Sequence, residues 1–181
     1  VLVEGDEVKA RQVANQIALK SAIEKYNVSK VFTFHSKVDS AKSFTSRGPE
    51  GINTHLKGFH CAHIEGAMTT AYRERLLREF AAAPRAILSN ARCLTEGVDV
   101  PAVDMVAFLS PKRSLVDIVQ ATGRAMRLSP QTGKQFGYVL VPLYVEKARG
   151  ETIEQAVLRS NFDEIWKVLQ GLKEQDDLLA Q

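Results

Sequence analysis

Short apolar strands alternating with amphipathic helices constrain this chain more than any other feature. Val31 to Phe34, Phe59 to Ile64, Ala86 to Ser89, Val103 to Leu109 and Phe136 to Pro142 each read as a brief apolar run bounded by turn formers. Helical patterns fill the gaps at Val8 to Tyr26, Val38 to Ser46, Thr70 to Ala82, a stretch opened by Ser114, and Ile153 to Leu172. Strands this apolar, separated by helices, need a sheet covered on both faces. The expectation is an α/β domain of three layers, with a mostly parallel central sheet and helices on either side.

Within that frame the local signals are uneven. The first helix pairs Val13 with Ile17 and, on a different side, Leu19 with Ile23, which predicts broad burial; Asn27 and Ser29 end it. Arg47 to Asn53 is rich in turn residues and reads as a surface loop. At 181 residues and 45% hydrophobic composition the chain suffices for one domain with a full core. Residues 1–150 form that domain in this reading, and 151–181 a helical extension of it, with Trp166 as a core anchor. The chain opens at Val1, without methionine, and reads as a fragment of something longer.

A net charge of +3 permits a polyanionic partner without requiring one. Two cysteines, Cys61 and Cys93, give neither a disulfide framework nor a metal spacing, so the cytoplasm is the simplest setting. No apolar run approaches the ~18 residues of a membrane-spanning helix. His55, His60, Cys61 and His63 crowd together in sequence, but on a strand His60 faces away from Cys61 and His63. No metal site is expected there.

The run Gln120 to Arg127, Q-A-T-G-R-A-M-R, carries the sharpest chemical signal. On a helix capped by Ser114, Gln120, Arg124 and Arg127 share one face, opposite Leu115, Ile118, Thr122, Ala125 and Met126. Guanidinium groups recognise phosphate oxygens in a plane and stay charged at any working pH. Gly123 weakens the helix by about 1 kcal/mol against Ala, which suggests a close backbone approach. A lone R-x-x-R pair is more often a solvated surface. Here other segments point the same way.

Ligands of open parallel sheets gather outside the carboxyl ends of the strands. His35-Ser36-Lys37, Glu65-Gly66, Ser89-Asn90 and Ser110 to Arg113 each follow a predicted strand. Their hydroxyls, amides and backbone N–H groups suit phosphate oxygens. One such loop is weak evidence, since Ser and Asn populate turns anyway. Four aimed at one edge are stronger.

The order F-T-F-H-S-K, G-A-M-x-x-x-x-R, L-S-N-A-R-C-L-T-E-G-V-D-V-P and Q-A-T-G-R-A-M-R resembles motifs IV, IVa, V and VI of superfamily 2 helicases. Together they are similar to the second, C-terminal RecA-like domain of that family over roughly Val31 to Pro142. T-E-G-V-D-V-P is most like DEAD/DEAH-type proteins of restriction systems and related large bacterial helicases. The resemblance implies that Arg127 is an arginine finger on the γ-phosphate, with Arg124 a second contact and Gln120 placing the arginines and attacking water. It puts Gly97, Asp99 and Gly123 at the nucleotide edge. Ser36, Arg73, Ser89, Asn90 and Thr95 fall to the nucleic-acid backbone. Glu65 stands where many members carry His, and His35 where a small residue is common, so neither position inherits a role.

Blander readings stand beside these. Asp99 also fits a cap on the turn before Pro101, and Thr95 a solvated turn. Ser36 and Ser89 also fit residues that satisfy loop backbone, and Arg73 belongs to a charge lattice with Glu74, Arg75, Arg78 and Glu79.

The sequence contains neither G-x-x-x-x-G-K-[ST] nor a D-E-x-[DH] run. The implied cofactor, ATP with Mg2+, would therefore be held mainly by a missing N-terminal RecA-like domain, and this chain alone should hydrolyse nothing. The expected partner is nucleic acid, double-stranded DNA tracked along one strand. A non-hydrolysing binding or assembly module with a degenerate site is the rival; intact Arg124 and Arg127 argue against it. A stand-alone dinucleotide enzyme would want G-x-G-x-x-G after the first strand, and none is there.

Overall fold

A computed structural model describes residues 4–91, 103–110, 137–142, 144–145, 147–159 and 173. Its elements run α1 (Glu4–Tyr26), β1 (Lys30–Phe34), α2 (Val38–Phe44), a 3-10 turn (Ile52–Thr54), β2 (His60–Glu65), α3 (Thr70–Ala82), β3 (Ala86–Ala91), β4 (Met105–Phe108), β5 (Tyr138–Leu140) and α4 (Ile153–Arg159). The five strands form one sheet in the order β2-β3-β1-β4-β5. Every pairing is parallel, with Val31 opposite both Ile87 and Met105, and Cys61 opposite Ile87. This is the expected three-layer α/β architecture.

Side-chain alternation assigns each strand's residues to two cores. Phe32, Phe34, Ala86, Leu88, Val106 and Phe108 pack with Leu77 and Phe80 of α3 on one face. Val31, Ile87, Met105 and Ala107 pack with Leu19, Ala22 and Ile23 of α1 and Phe44 of α2 on the other. The period of two across paired strands fixes this register, because a one-residue slip would exchange the two cores. Phe80, fully buried, sits 4.9 Å from the ring of Phe32.

Helix ends are closed by identifiable groups. At the end of α1, Asn27 adopts the left-handed conformation (φ 50°) and the Val28 N–H reaches back to the carbonyl of Ile23 at 3.1 Å. That is the Schellman arrangement, and Val28 and Ile23 meet in the core beneath it. Thr69 caps α3 by accepting the Tyr72 N–H. At the other end of α3 the Lys30 ammonium donates to the carbonyls of Phe80, Ala81 and Ala83, where a cation suits the helix dipole.

Three expectations change. Val13 and Ile17 are exposed; the buried stripe of α1 is Asn15, Gln16, Leu19, Ala22 and Ile23. Residues 47–53 are not all surface: Ile52 is fully buried. Gly51 passes so close to Ser46 that a Cβ there would lie 1.9 Å from its carbonyl oxygen. Finally, β3 extends past Ser89 to Ala91, because β2 keeps pairing with it as far as Glu65 opposite Ala91. No helix among the described residues is long and apolar enough to cross a membrane.

Candidate functional site

The parallel sheet sends the carboxyl ends of β1, β2, β3 and β4 to one edge. β1 ends there in His35-Ser36-Lys37. His35 is buried, its N–H bonded to the Asn90 carbonyl at 2.9 Å and its ring 5.0 Å from that of Phe44. Its Nε2 lies 3.1 Å from the Thr33 hydroxyl. This fixes the point from which Ser36, half-buried, and Lys37, exposed, leave the sheet. Beyond β2, a turn closed by the Met68 N–H on the Glu65 carbonyl leads into α3. Arg73 lies in the first turn of α3, half-buried, on the helix that starts just after the carboxyl end of β2.

Ser89 and Asn90 behave differently from the expectation of an open loop. Both are fully buried within β3. Ser89 donates its hydroxyl to the Ala41 carbonyl of α2 at 2.6 Å and lies 3.2 Å from the Thr45 hydroxyl. Asn90 donates from Nδ2 to the Thr33 carbonyl at 3.1 Å. Its Oδ1 meets no donor among the described residues. Thr95, Gly97, Asp99, Gln120, Gly123, Arg124 and Arg127 lie outside the described residues. So do Cys93, Ser114 and Trp166.

Sequence reading passed over a row of polar groups buried between the sheet and α2. His63 and Thr33 flank Ser89 in register on β2 and β1. His63 Nε2 is 3.4 Å from Glu65 Oε2, near enough for attraction without forming an aligned hydrogen bond. Burial, the dominant influence, pulls the His63 imidazole below the usual histidine range; Glu65 opposes this and Lys42 adds to it. Alternation of the strand was the available signal, since it places positions 61, 63 and 65 on one side. His60 faces the other way, 3.9 Å from Glu79 of α3. Among the described residues no three His, Cys, Asp or Glu side chains come together as a metal site.

A second omission is the polar pair on α1. Asn15 donates from Nδ2 to the carbonyl of Leu109 at 2.9 Å, and Gln16 from Nε2 to that of Glu50 at 2.6 Å. Both lie on the buried stripe of α1 with Leu19 and Ile23, each amide matched to one backbone carbonyl, and no local sequence signal marks them.

The helicase conserved C-terminal domain family matches residues 13–129. No curated protein matches the chain. Among solved structures, it resembles the ATP-dependent Type ISP restriction-modification enzyme LlaBIII bound to DNA. The TM-score there is 0.61 at 32% identity, over 81% of this chain and 10% of LlaBIII. A putative HsdR subunit of a type I restriction enzyme from Vibrio vulnificus YJ016 gives a TM-score of 0.61 at 20% identity, over 75% of this chain and 27% of the other. Domain 2 of the DEAD-box helicase Mss116p, bound to an RNA duplex, gives 0.54 at 20% identity, over 74% and 50%. The latter two likenesses concern the fold. The chain thus spans only a tenth of LlaBIII and about a quarter of the HsdR subunit.

Proposed function

Because this chain belongs to the family of helicase conserved C-terminal domains, we propose that it is the second motor domain of an ATP-dependent DNA helicase or translocase. The observation that carries the reading is the single edge at which β1 to β4 end, with Ser36 following β1 and Arg73 in the helix that follows β2. Every segment that the sequence assigns to phosphate chemistry follows one of these strand ends in the chain. The 32% identity to a DNA-bound restriction enzyme favours DNA over RNA.

In this proposal ATP binds between this domain and an upstream RecA-like domain that carries the phosphate loop and the Mg2+ ligands, neither of which occurs in this sequence. Arg127 and Arg124 then neutralise charge that develops on the transferred phosphoryl oxygens, with Gln120 orienting them. Gly97, Asp99 and Gly123 line the nucleotide edge. Ser36, Arg73 and Thr95 contact phosphates of the tracked strand. Ser89 and Asn90 contribute from beneath by holding β3 against α2 and β1, which positions the stretch that carries Thr95. Residues 151–181 extend the same domain. Contacts to phosphates give strong salt dependence and little sequence preference.

The test is DNA-stimulated ATP hydrolysis by the chain rejoined to its upstream region. Arg127→Ala should lower kcat on the order of a thousandfold, as expected for a finger. An Arg127→Ala protein that hydrolyses ATP as fast as its parent overturns the assignment.

A further inference from the structure

Leu109 is the last apolar residue before the chain leaves β4 for the arginine-bearing stretch, and both of its backbone polar groups are occupied. Its N–H donates to the Phe34 carbonyl of β1 at 3.0 Å, which continues the sheet ladder. Its carbonyl accepts from Asn15 of α1, a residue 94 positions away in the chain. Asn15 is itself held. The Tyr144 hydroxyl, from the segment after β5, lies against Asn15 Oδ1 and 3.1 Å from the Arg11 carbonyl. The Arg11 guanidinium stacks over the Tyr144 ring at 5.3 Å. Burial raises the Tyr144 phenol above its usual range, with Arg11 opposing, so the hydroxyl keeps its proton as a donor.

Three separated segments therefore converge on one buried amide. Leucine at position 15 would extend the apolar stripe of Leu19, Ala22 and Ile23 at the same helical spacing. A residue there whose two amide ends grip two other segments specifies an orientation that hydrophobic packing alone would leave loose. The gripped carbonyl sets the direction in which Ser110 departs from the sheet. Neither Asn15 nor Tyr144 belongs to a motif that the family resemblance assigns a role.

We propose that Asn15, braced by Tyr144, is a positioning residue of the motor: it fixes the exit of β4, the point from which the chain runs on to Arg124 and Arg127. The proposal rests on the reading of those arginines given above. It also makes α1, the element that leads into the domain, a mechanical part of the ATPase site.

The experiment uses the protein rejoined to its upstream region, with Asn15→Leu, Tyr144→Phe and Arg127→Ala measured side by side. Asn15→Leu should lower kcat for DNA-stimulated ATP hydrolysis about tenfold or more, since small misplacements of catalytic groups weigh heavily. KM for ATP and DNA affinity should stay near those of the parent, while the melting temperature falls by the few degrees that an unpaired Leu109 carbonyl costs. Tyr144→Phe, which keeps the Asn15–Leu109 bond, should fall between parent and Asn15→Leu. Parental kcat in Asn15→Leu, alongside an inactive Arg127→Ala, overturns the positioning role and leaves the arginine assignment standing. An active Arg127→Ala overturns both. A parallel loss of kcat, DNA affinity and melting temperature in Asn15→Leu reduces Asn15 to a structural group and also overturns the proposal.

Discussion

Ser89 fastens β3 to α2 by donating its hydroxyl to the carbonyl of Ala41 across 2.6 Å. Thr45, which caps the end of α2, shares that acceptor at 3.4 Å. The Ser89 bond holds the middle of α2 against β3. Ser89→Ala should destabilise the isolated chain by about 1 kcal/mol, because Thr45 remains to satisfy the carbonyl. Ser89→Val should do worse by adding bulk to a packed site. Urea unfolding followed by circular dichroism measures both; an unchanged midpoint for both variants would refute the tie.

The close passage at Gly51 makes a second expectation. A Cβ at 1.9 Å from the Ser46 carbonyl oxygen collides with backbone, which cannot rotate away. Gly51→Ala should therefore cost about 2 kcal/mol or more and displace Ile52 from the core. Gly58 offers the contrast, with open space where its Cβ would stand but a φ of +83°. Gly58→Ala should cost less, about 1 kcal/mol, through backbone strain alone. Thermal melting of the two variants checks the ranking.

His63 gives the fold a dependence on pH. Its folded-state pKa lies below the ordinary value of about 6.5, chiefly through burial. Between the lowered value and 6.5 the unfolded chain binds the proton that the folded chain refuses, so stability falls as pH drops through that window. His63→Gln should flatten this loss. The comparison is urea unfolding of parent and variant at neutral and mildly acid pH. An identical acid loss in both would show that His63 does not contribute.

Cys61 should be chemically quiet. Burial pushes its thiol up to about 12, so at pH 8 it carries on the order of a thousandfold less thiolate than a free cysteine. Peptide-resolved mass spectrometry after brief iodoacetamide treatment should find Cys61 unmodified in the native chain and modified in urea. Native labelling at the rate of a free thiol would contradict the burial.

The sheet and its helices were legible because strand and helix periods differ strongly, as in Val31 to Phe34 against Thr70 to Ala82. Tertiary partners were not. The first helix offered two i, i+4 apolar pairs, and only the sheet decides that Leu19 and Ile23 turn inward while Val13 and Ile17 face water. Ser89 and Asn90 looked like turn residues because their side chains satisfy loop backbone so readily. β2 pairs with them instead, and that pairing is invisible in local sequence. Ile52 lay hidden among glycine and proline for the same reason. At the site, Ser36 follows the end of β1 and Arg73 falls in the first turn of α3, because the strand and helix periods there are plain in the sequence. Asn15 did not announce itself, since a polar residue on a helix ordinarily faces solvent.

The strand order β2-β3-β1-β4-β5 has a consequence for synthesis. The first strand made becomes the central one, and both its neighbours arise much later. The Asp104 carboxylate that receives the Ser29 N–H is 75 residues downstream of it. While the ribosome extends the chain, Phe32 and Phe34 must wait for β3 and then β4, with both strand edges open. Such late, distant pairing slows folding and exposes a sticky intermediate. A chain truncated between β3 and β4 would keep that open edge permanently, and aggregation is the fate it invites.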